Sequence, residues 1–386
     1  PQHTTTQTVL FDDLFSKPVV ATFDQEAASS DGGAILLKAA ERRVGVIGAM
    51  ADCLPDEREP GKVRHEMAEL VSQRVYALAC GYPDGNDAAR LKKDPIHKML
   101  VGRDPVKGED LASQPTLSRF ENSVGAKEAY RLADKLADKV IKRQRRRRWG
   151  RRVSKITIDM DSTVDPTYGQ QQLTLFNGKY DTWCYLPMLG FLRFNEEAEQ
   201  YLVAAVLRPG TMSDKKGSVG ILRRVVDKVR EAFAGARILV RLDAGFACPK
   251  LFEYLEEEGL EYVVAMGKNP VLERLCAEDL AESRYWSEWA GCGWKICGEG
   301  RYRAKSWPHE RRVVYKAEVV CLGDKEPRDN PRFVITNLKL LPQNVYEKVY
   351  CRRGDVENRI KELKETMAIG RTSCTRFWAN QFRVLL

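Results

Sequence analysis

Histidine is scarce in this chain, with four residues among 386: His3, His65, His97 and His309. The sequence contains neither a G-x-S-x-G elbow nor a Walker-type phosphate loop. Serine hydrolase, P-loop NTPase and histidine-zinc hydrolase chemistries therefore lack their required parts. No apolar run approaches the roughly 20 residues needed to cross a bilayer. The opening Pro1-Gln2-His3-Thr4 carries no basic-then-apolar leader, which argues against secretion. Cysteine is not scarce, but its ten residues are spread from Cys53 to Cys374, as expected of free thiols in a reducing cytoplasm. Cys292 and Cys297 are the closest pair, with His309 twelve residues on and no second pair at zinc-ribbon spacing. They read as small half-buried residues of a β-rich segment rather than as a zinc site. If a metal acts here, carboxylates must hold it, which favours magnesium or manganese.

What is present is ordinary in bulk: 43% hydrophobic and 30% charged residues, which excludes a mostly disordered or collagen-like chain. Roughly 100–200 residues per domain predicts two or three domains. The net charge of +9 comes from 63 basic and 54 acidic side chains. Eight of the basic residues lie in the eleven-residue run Lys142–Arg152, and without them the remainder carries only +1. The run is either a solvated linker or a phosphate clamp. Trp149 among its arginines, and a strand starting at once, favour phosphate contact by Arg145, Arg146, Arg147 and Arg148.

Upstream of this run the sequence reads as helical. Apolar positions recur at helical spacing over His65–Cys80 and Ala126–Ile141. Between them, Gln114 and Pro115 suit the start of a short helix carrying Thr116, Ser118 and Arg119. Such a helix either reads DNA or packs a bundle. Downstream, alternation gives a strand over Lys155–Asp161, further strands at Trp183–Phe191 and Tyr201–Leu207, and an α/β unit from Ser218 to Met266. The stretch from about Pro270 to Leu341 reads as β-rich, and a last helix begins near Asn344. The start without Met and the stop inside the apolar run Phe382-Arg383-Val384-Leu385-Leu386 suggest a fragment or trimmed chain.

Three carboxylates stand out. Alternation along Lys155–Asp161 puts Thr157, Asp159 and Asp161 on one face, and Asp161 at the strand's C-terminal end, where α/β sheets build their sites. Asp243 follows Ile238–Leu242 in the same way. Tyr350, Arg353, Glu357 and Lys364 lie at offsets of 3, 7 and 14, which at about 100° per residue share one face of an α-helix.

The spacing Tyr350-x2-Arg353-x3-Glu357-x6-Lys364 resembles the signature of prokaryotic DDE transposases of insertion sequences. Asp161-Ser162-Thr163 and Leu242-Asp243-Ala244-Gly245-Phe246 resemble the two Asp motifs of that superfamily. The run Asp161–Gln171, with Leu207-Arg208-Pro209-Gly210 downstream, is most similar to insertion-sequence family 1380. The resemblance implies an RNase H-like α/β catalytic domain over 153–386, interrupted at about 270–341 by the β-rich stretch. The basic linker 142–152 and a helical DNA-binding domain over 1–141 would precede it. It further implies that Asp161, Asp243 and Glu357 hold two Mg²⁺ or Mn²⁺ ions, one activating water or a 3′-hydroxyl and the other stabilising the leaving oxygen. Asp159 is the alternative first ligand; the Ser-Thr after Asp161 favours the latter. Arg353 and Lys364 would clamp phosphates and Tyr350 would hydrogen-bond one. Relatives that form hairpin intermediates stack a flipped base on an aromatic of the insertion, for which Trp307, in Lys305–His309, is chosen here. The implied activity is cut-and-paste transposition at terminal inverted repeats, by a homodimer on DNA in the prokaryotic cytoplasm and nucleoid. A nuclease without strand transfer, or an inactive DNA-binding remnant, is the alternative.

Overall fold

The computed structural model describes residues 28–321 and 326–386, together with Leu14, Lys17 and Val19. The chain divides into two compact units, one of residues 1–136 and 366–386 and the other of residues 137–365. None of the described helices is long and apolar enough to cross a membrane.

The first unit contains α1 (Ile35–Val44), α2 (Val46–Ala51), α3 (Met67–Ala79), α4 (Ala88–Leu91), α5 (Pro95–Val101), α6 (Gln114–Ser123) and the beginning of α7 (Ala126–Arg147). Local chemistry sets its boundaries. Gly45 closes α1 in the left-handed region at φ 65°, where a side chain would be strained. The Glu41 carboxylate then accepts from the Val46 and Ile47 amides at 3.0 and 2.7 Å, capping the start of α2. Asp94 accepts from the His97 amide, and Pro95 sits at the first position of α5. A buried Arg74–Glu121 pair at 2.7 Å joins α3 to α6. In α6, Leu117, Phe120 and Glu121 turn inward while Arg119 is exposed.

The second unit is built on a nine-stranded mixed sheet. Its strands are β1 (Lys155–Ser162), β5 (Met188–Phe194), β6 (Tyr201–Val206), β7 (Arg237–Leu242), β8 (Glu261–Met266), β9 (Trp294–Tyr302), β10 (Arg311–Val320), β11 (Arg328–Asp329) and β12 (Arg332–Thr336). The order is β11-β10-β12-β8-β7-β1-β5-β6, with β9 also on β10. β1, β7 and β8 are parallel neighbours, and the remaining pairings are antiparallel. A separate three-stranded sheet contains β2 (Asp165–Pro166), β4 (Thr182–Tyr185) and β3 (Leu175–Asn177), in the order β2-β4-β3.

Both faces of the main sheet are covered, as parallel strands require. Ile156, Ile158 and Met160 of β1 and Val240 of β7 pack in one core with Leu222 and Val226 of α8 (Ser218–Ala232) and Leu251 and Leu255 of α9 (Pro249–Glu257). On the other face Leu239, Val263, Val314 and Val334 pack with Val345 and Tyr346. Each such fully buried branched side chain contributes about 1.5–3 kcal/mol.

Three boundaries differ from the sequence expectation. The basic run is not a free linker: as far as Arg147 it forms the last turns of α7, whose Ala137 and Ile141 join the core of the second unit. Residues 366–386 group with the helical unit rather than the sheet, because α13 (Phe377–Leu385) buries Phe382 against Phe120 of α6, rings 5.2 Å apart. The segment 270–341 opens with two helices, α10 (Pro270–Leu275) and α11 (Ala277–Ala290), before its strands extend the main sheet through the β12–β8 pairing.

Candidate active site

Asp161 is the seventh residue of β1, and Asp243 directly follows β7, its parallel neighbour. The two carboxylates therefore leave adjacent parallel strands at their C-terminal ends, where α/β sheets commonly build their sites. Asp161 Oδ1 accepts from the Ser162 amide at 2.9 Å. Asp243 Oδ1 accepts from the Gly245 amide at 2.9 Å, which fixes the turn Ala244–Phe246.

The third carboxylate arrives on a helical segment of changing pitch. Asn344–Tyr350 is a π-helix, Cys351–Arg353 a 3-10 turn, and α12 (Gly354–Thr366) an ordinary α-helix. The constant 100° per residue expected from Tyr350 to Lys364 thus holds only from the start of α12. π-turns commonly accompany functional sites. Here the π segment buries Val345 and Tyr346 on the sheet, and Arg241 Nη1 donates to the Val349 carbonyl at 2.8 Å.

That anchorage delivers Arg353 between the acids. Its guanidinium lies 2.7 Å from Asp161, 3.9 Å from Asp243 and 3.6 Å from Glu357. Arg353 Nε is buried without a hydrogen-bond partner among the described residues. Burial pushes the Asp161 carboxyl up to about 6; Arg353 opposes the shift, while Asp243 and Glu357 reinforce it. One guanidinium faces three carboxylates, so with all of them ionised the cluster carries a net charge of about −2. An all-oxygen set short of positive charge suits a hard divalent cation.

The other expected residues divide. Lys364 Nζ donates to the Val164 carbonyl at 2.7 Å, just beyond Asp161 in the chain. Burial lowers the Lys364 pKa, with Asp165 opposing. Tyr350 is half-buried, and burial raises its phenol's pKa, with Arg353 opposing and Asp243 adding to it. Arg145, Arg146 and Arg147 are exposed.

Asp159 does not fit as an alternative ligand. It is fully buried, and both its oxygens accept from Arg241 at 2.8 and 2.7 Å, with Gln200 adding a third bond at 3.0 Å. Arg148 does not fit as a phosphate contact, being buried against the Phe194 ring and ion-paired with Glu197. Trp307 does not fit as a base-stacking platform. It is 4% exposed and packs edge-on to Phe252 and Tyr302 at 5.0 and 5.4 Å, with Arg311 over its face. A basic local context concealed an apolar pocket beneath it. Cys292 is exposed, and His309 faces Glu256 at 3.3 Å.

The structure adds a support that sequence reasoning missed. Buried Arg208 donates to Ser162 Oγ at 2.6 Å and to Asp214 Oδ1 at 3.0 Å, while Ser162 Oγ also donates to Asp214. Asp214 Oδ2 would stand 2.5 Å from a Cβ placed on Gly245, and Asp243 Oδ1 3.0 Å from it. The absence of a side chain at Gly245 thus lets the Asp214 carboxylate come close to the Asp243 turn. The one available signal was Asp214 lying four residues beyond the Arg208-Pro209-Gly210 turn.

Residues 11–386 match the protein family described as Transposase DDE domain group 1. The chain belongs to this family. No curated protein matches it. Among solved structures it is similar to a piggyBac transposase, seen by cryo-EM in a synaptic complex with hairpin DNA. That likeness has 10% identity and a TM-score of 0.40, covering 91% of this chain and 74% of the other. Members of DDE transposase families generally use divalent metal ions.

Proposed function

We propose that this DDE transposase cuts DNA at the ends of an insertion sequence and joins the freed 3′-hydroxyl ends to a target, using Asp161, Asp243 and Glu357. The observation that carries the reading is their convergence on one guanidinium from β1, the end of β7 and the first turn of α12. Three acids far apart in sequence have no folding reason to gather, since uncompensated like charges destabilise one another. In this reading the catalytic unit is RNase H-like, which the parallel β1–β7–β8 core extended by antiparallel β5 and β6 supports. The spacing from Tyr350 to Lys364 is that of the insertion-sequence signature, and family 1380 remains the proposed affiliation.

Two Mg²⁺ or Mn²⁺ ions held by the three carboxylates would supply Lewis acidity to the attacking and leaving oxygens. The chain's own residues do the remaining work. Arg353 is held in place by Asp161 and by the anchored π segment, and its planar fork turns to a phosphate when the acids acquire cations. Lys364 fixes the β1–β2 connection beside Asp161. In each cut, attack by water on phosphorus breaks one P–O bond, and the leaving 3′-oxygen takes up a proton. In joining, that 3′-hydroxyl loses its proton and attacks a target phosphorus; a new P–O bond forms, the target strand's P–O bond breaks, and its leaving 3′-oxygen takes up a proton. We propose a homodimer as the working form, bridging two ends, with Arg145, Arg146 and Arg147 on flanking phosphates.

The deciding experiment incubates the chain with Mg²⁺ and plasmid DNA carrying its element's terminal repeats, and asks whether Asp243→Asn stops end cleavage with the fold intact. Unaltered cleavage by that variant would sink the proposal.

A further inference from the structure

The helical unit holds a group of side chains that the carboxylate site does not use. Asp31, Cys80 and His97 each bring one donor atom, and these atoms lie within 4.8 Å of one another. Among the described residues this is the only such group of three histidine, cysteine or carboxylate side chains. Local structure aims each of them. The end of α3 is closed by the Gly81 amide on the Leu78 carbonyl at 3.0 Å and the Tyr82 amide on the Ala77 carbonyl at 2.8 Å. Gly81 makes the left-handed turn that this closure needs, at φ 85°. Cys80 is thus left at the helix end, and Tyr82 turns back to the same group. Its hydroxyl donates to Asp31 Oδ1 at 3.2 Å, and its ring stands edge-on to His97 at 5.8 Å.

His97, the third residue of α5, is 1% exposed, and its Nε2 lies 3.0 Å from Asp31 Oδ2. Asp31 precedes the 3-10 turn Gly32–Ala34, yet its carboxylate makes no capping bond there and turns to Tyr82 and His97 instead. A histidine–aspartate hydrogen bond accounts for two members of the group but not for the thiol beside them. Burial, with Asp31 and Asp94 adding to it, pushes the Cys80 thiol up to about 11, a field that a cation would relieve. Thiolate, imidazole and carboxylate are the donors that zinc takes, and one thiolate with one carboxylate balances its two charges. Bonds of about 2.0–2.3 Å to a tetrahedral ion set ligand atoms about 3.5 Å apart. Closing from the present spacing needs only side-chain rotation. Tyr82 already holds the second oxygen of Asp31, as outer partners of metal ligands do.

We propose that Asp31, Cys80 and His97 bind one zinc ion that braces the helical unit. The ion ties residue 31 to the end of α3 and to α5, and its fourth position is left to water. On binding, the Cys80 thiol gives its proton to solvent and His97 binds as neutral imidazole. The site is independent of the function proposed above: its donors include sulfur and nitrogen, whereas the acids around Arg353 offer oxygen alone.

The test uses the full chain with its thiols kept reduced and Mg²⁺ in excess throughout. The expected result is one Zn²⁺ retained per chain after desalting, and a melting temperature raised above that in Mg²⁺ alone. With Co²⁺ in place of zinc, a thiolate-to-metal absorption band should appear in the near ultraviolet. Cys80→Ser should abolish the band and weaken zinc binding at least about tenfold, and Asp31→Asn should weaken binding while keeping the band. Cys292→Ser, at an exposed thiol outside the group, should change nothing. Replacing buried His97 can unfold the unit, so half-buried Cys80 carries the decision, and the zinc-free Cys80→Ser variant should match the parent's circular dichroism. A parent chain that retains no zinc overturns the proposal. So does a band that survives Cys80→Ser or vanishes in Cys292→Ser.

Discussion

Two ion pairs sit two residues apart on one face of β1. Asp159 meets Arg241 at 2.7 Å, and Asp161 meets Arg353 at the same distance. The first pair is sealed: Asp159 and Arg241 are neighbours on parallel strands, and the carboxylate has all its partners in the fold. The second pair is open: Arg353 is shared among three acids, and the Glu357 side chain is 68% exposed. The same residue types are structural where charge is balanced and dry. They are left with unmatched charge where acid outnumbers base at the end of a strand. The inner pair also serves the outer one, because Arg241 holds the Val349 carbonyl and so sets where Arg353 emerges.

The sharpest way to break this comparison is to neutralise each aspartate in turn. Asp161→Asn should leave a folded protein with end cleavage at background. Asp159→Asn should strand Arg241 without its partner and destabilise the fold by about 3–5 kcal/mol, seen as a lower denaturation midpoint. If Asp159→Asn folds normally and cannot cut, the assigned roles are reversed.

Next in size is the response to arginine replacement. Arg353→Lys should lower the cleavage rate about 10- to 100-fold, since one fork-shaped contact to phosphate is replaced by a point charge. Its melting temperature should stay near the parent's. Arg241→Lys should do the opposite, lowering the melting temperature more than the rate per folded molecule.

A smaller effect separates the pairs by pH. The folded-state pKa of Asp161 lies above its unfolded value of 3.8, at about 6. The native state therefore holds that proton more tightly than the unfolded chain. The resulting stability is fully present below about pH 3.8 and lost as pH rises through about 6. Urea midpoints measured without divalent ions should show a fall across that window that Asp161→Asn abolishes. Divalent-ion binding, followed by calorimetry, should weaken below about pH 6 as the proton competes for Asp161.

The smallest expected effect lies in the basic run. Replacing Arg145, Arg146 and Arg147 together should flatten the salt dependence of DNA affinity by up to about 0.9 log unit per lost phosphate contact. Arg148→Ala should leave that slope alone and reduce stability instead, because its guanidinium faces Glu197 and the Phe194 ring.

The acids and their arginine were legible because strand ends and residue spacing are local properties of a sequence. Alternation put Asp159 and Asp161 on one face of β1, and the spacing Arg353-x3-Glu357 survived into α12. Alternation could not rank the two aspartates, since the rank depends on Arg241 from another strand. Nor could it foresee the π-turn before Arg353, or that Asp214 would reach Gly245. Trp307 and Arg148 were misplaced for one shared reason. Their flanking residues are basic and polar, and the pocket each fills is assembled from residues distant in the chain.

The sequence by itself determined where carboxylates leave strands, where a helix carries Arg353 and Glu357, and that the excess of positive charge is concentrated in one run. Those follow from backbone periodicity and from the chemistry of neighbouring residues. Only the tertiary structure decided which charges are matched and which are left wanting. Burial and partner geometry are set by elements about 80 to 200 residues apart, and it is that imbalance, rather than the presence of aspartates, that sets one end of β1 apart from the rest of the strand.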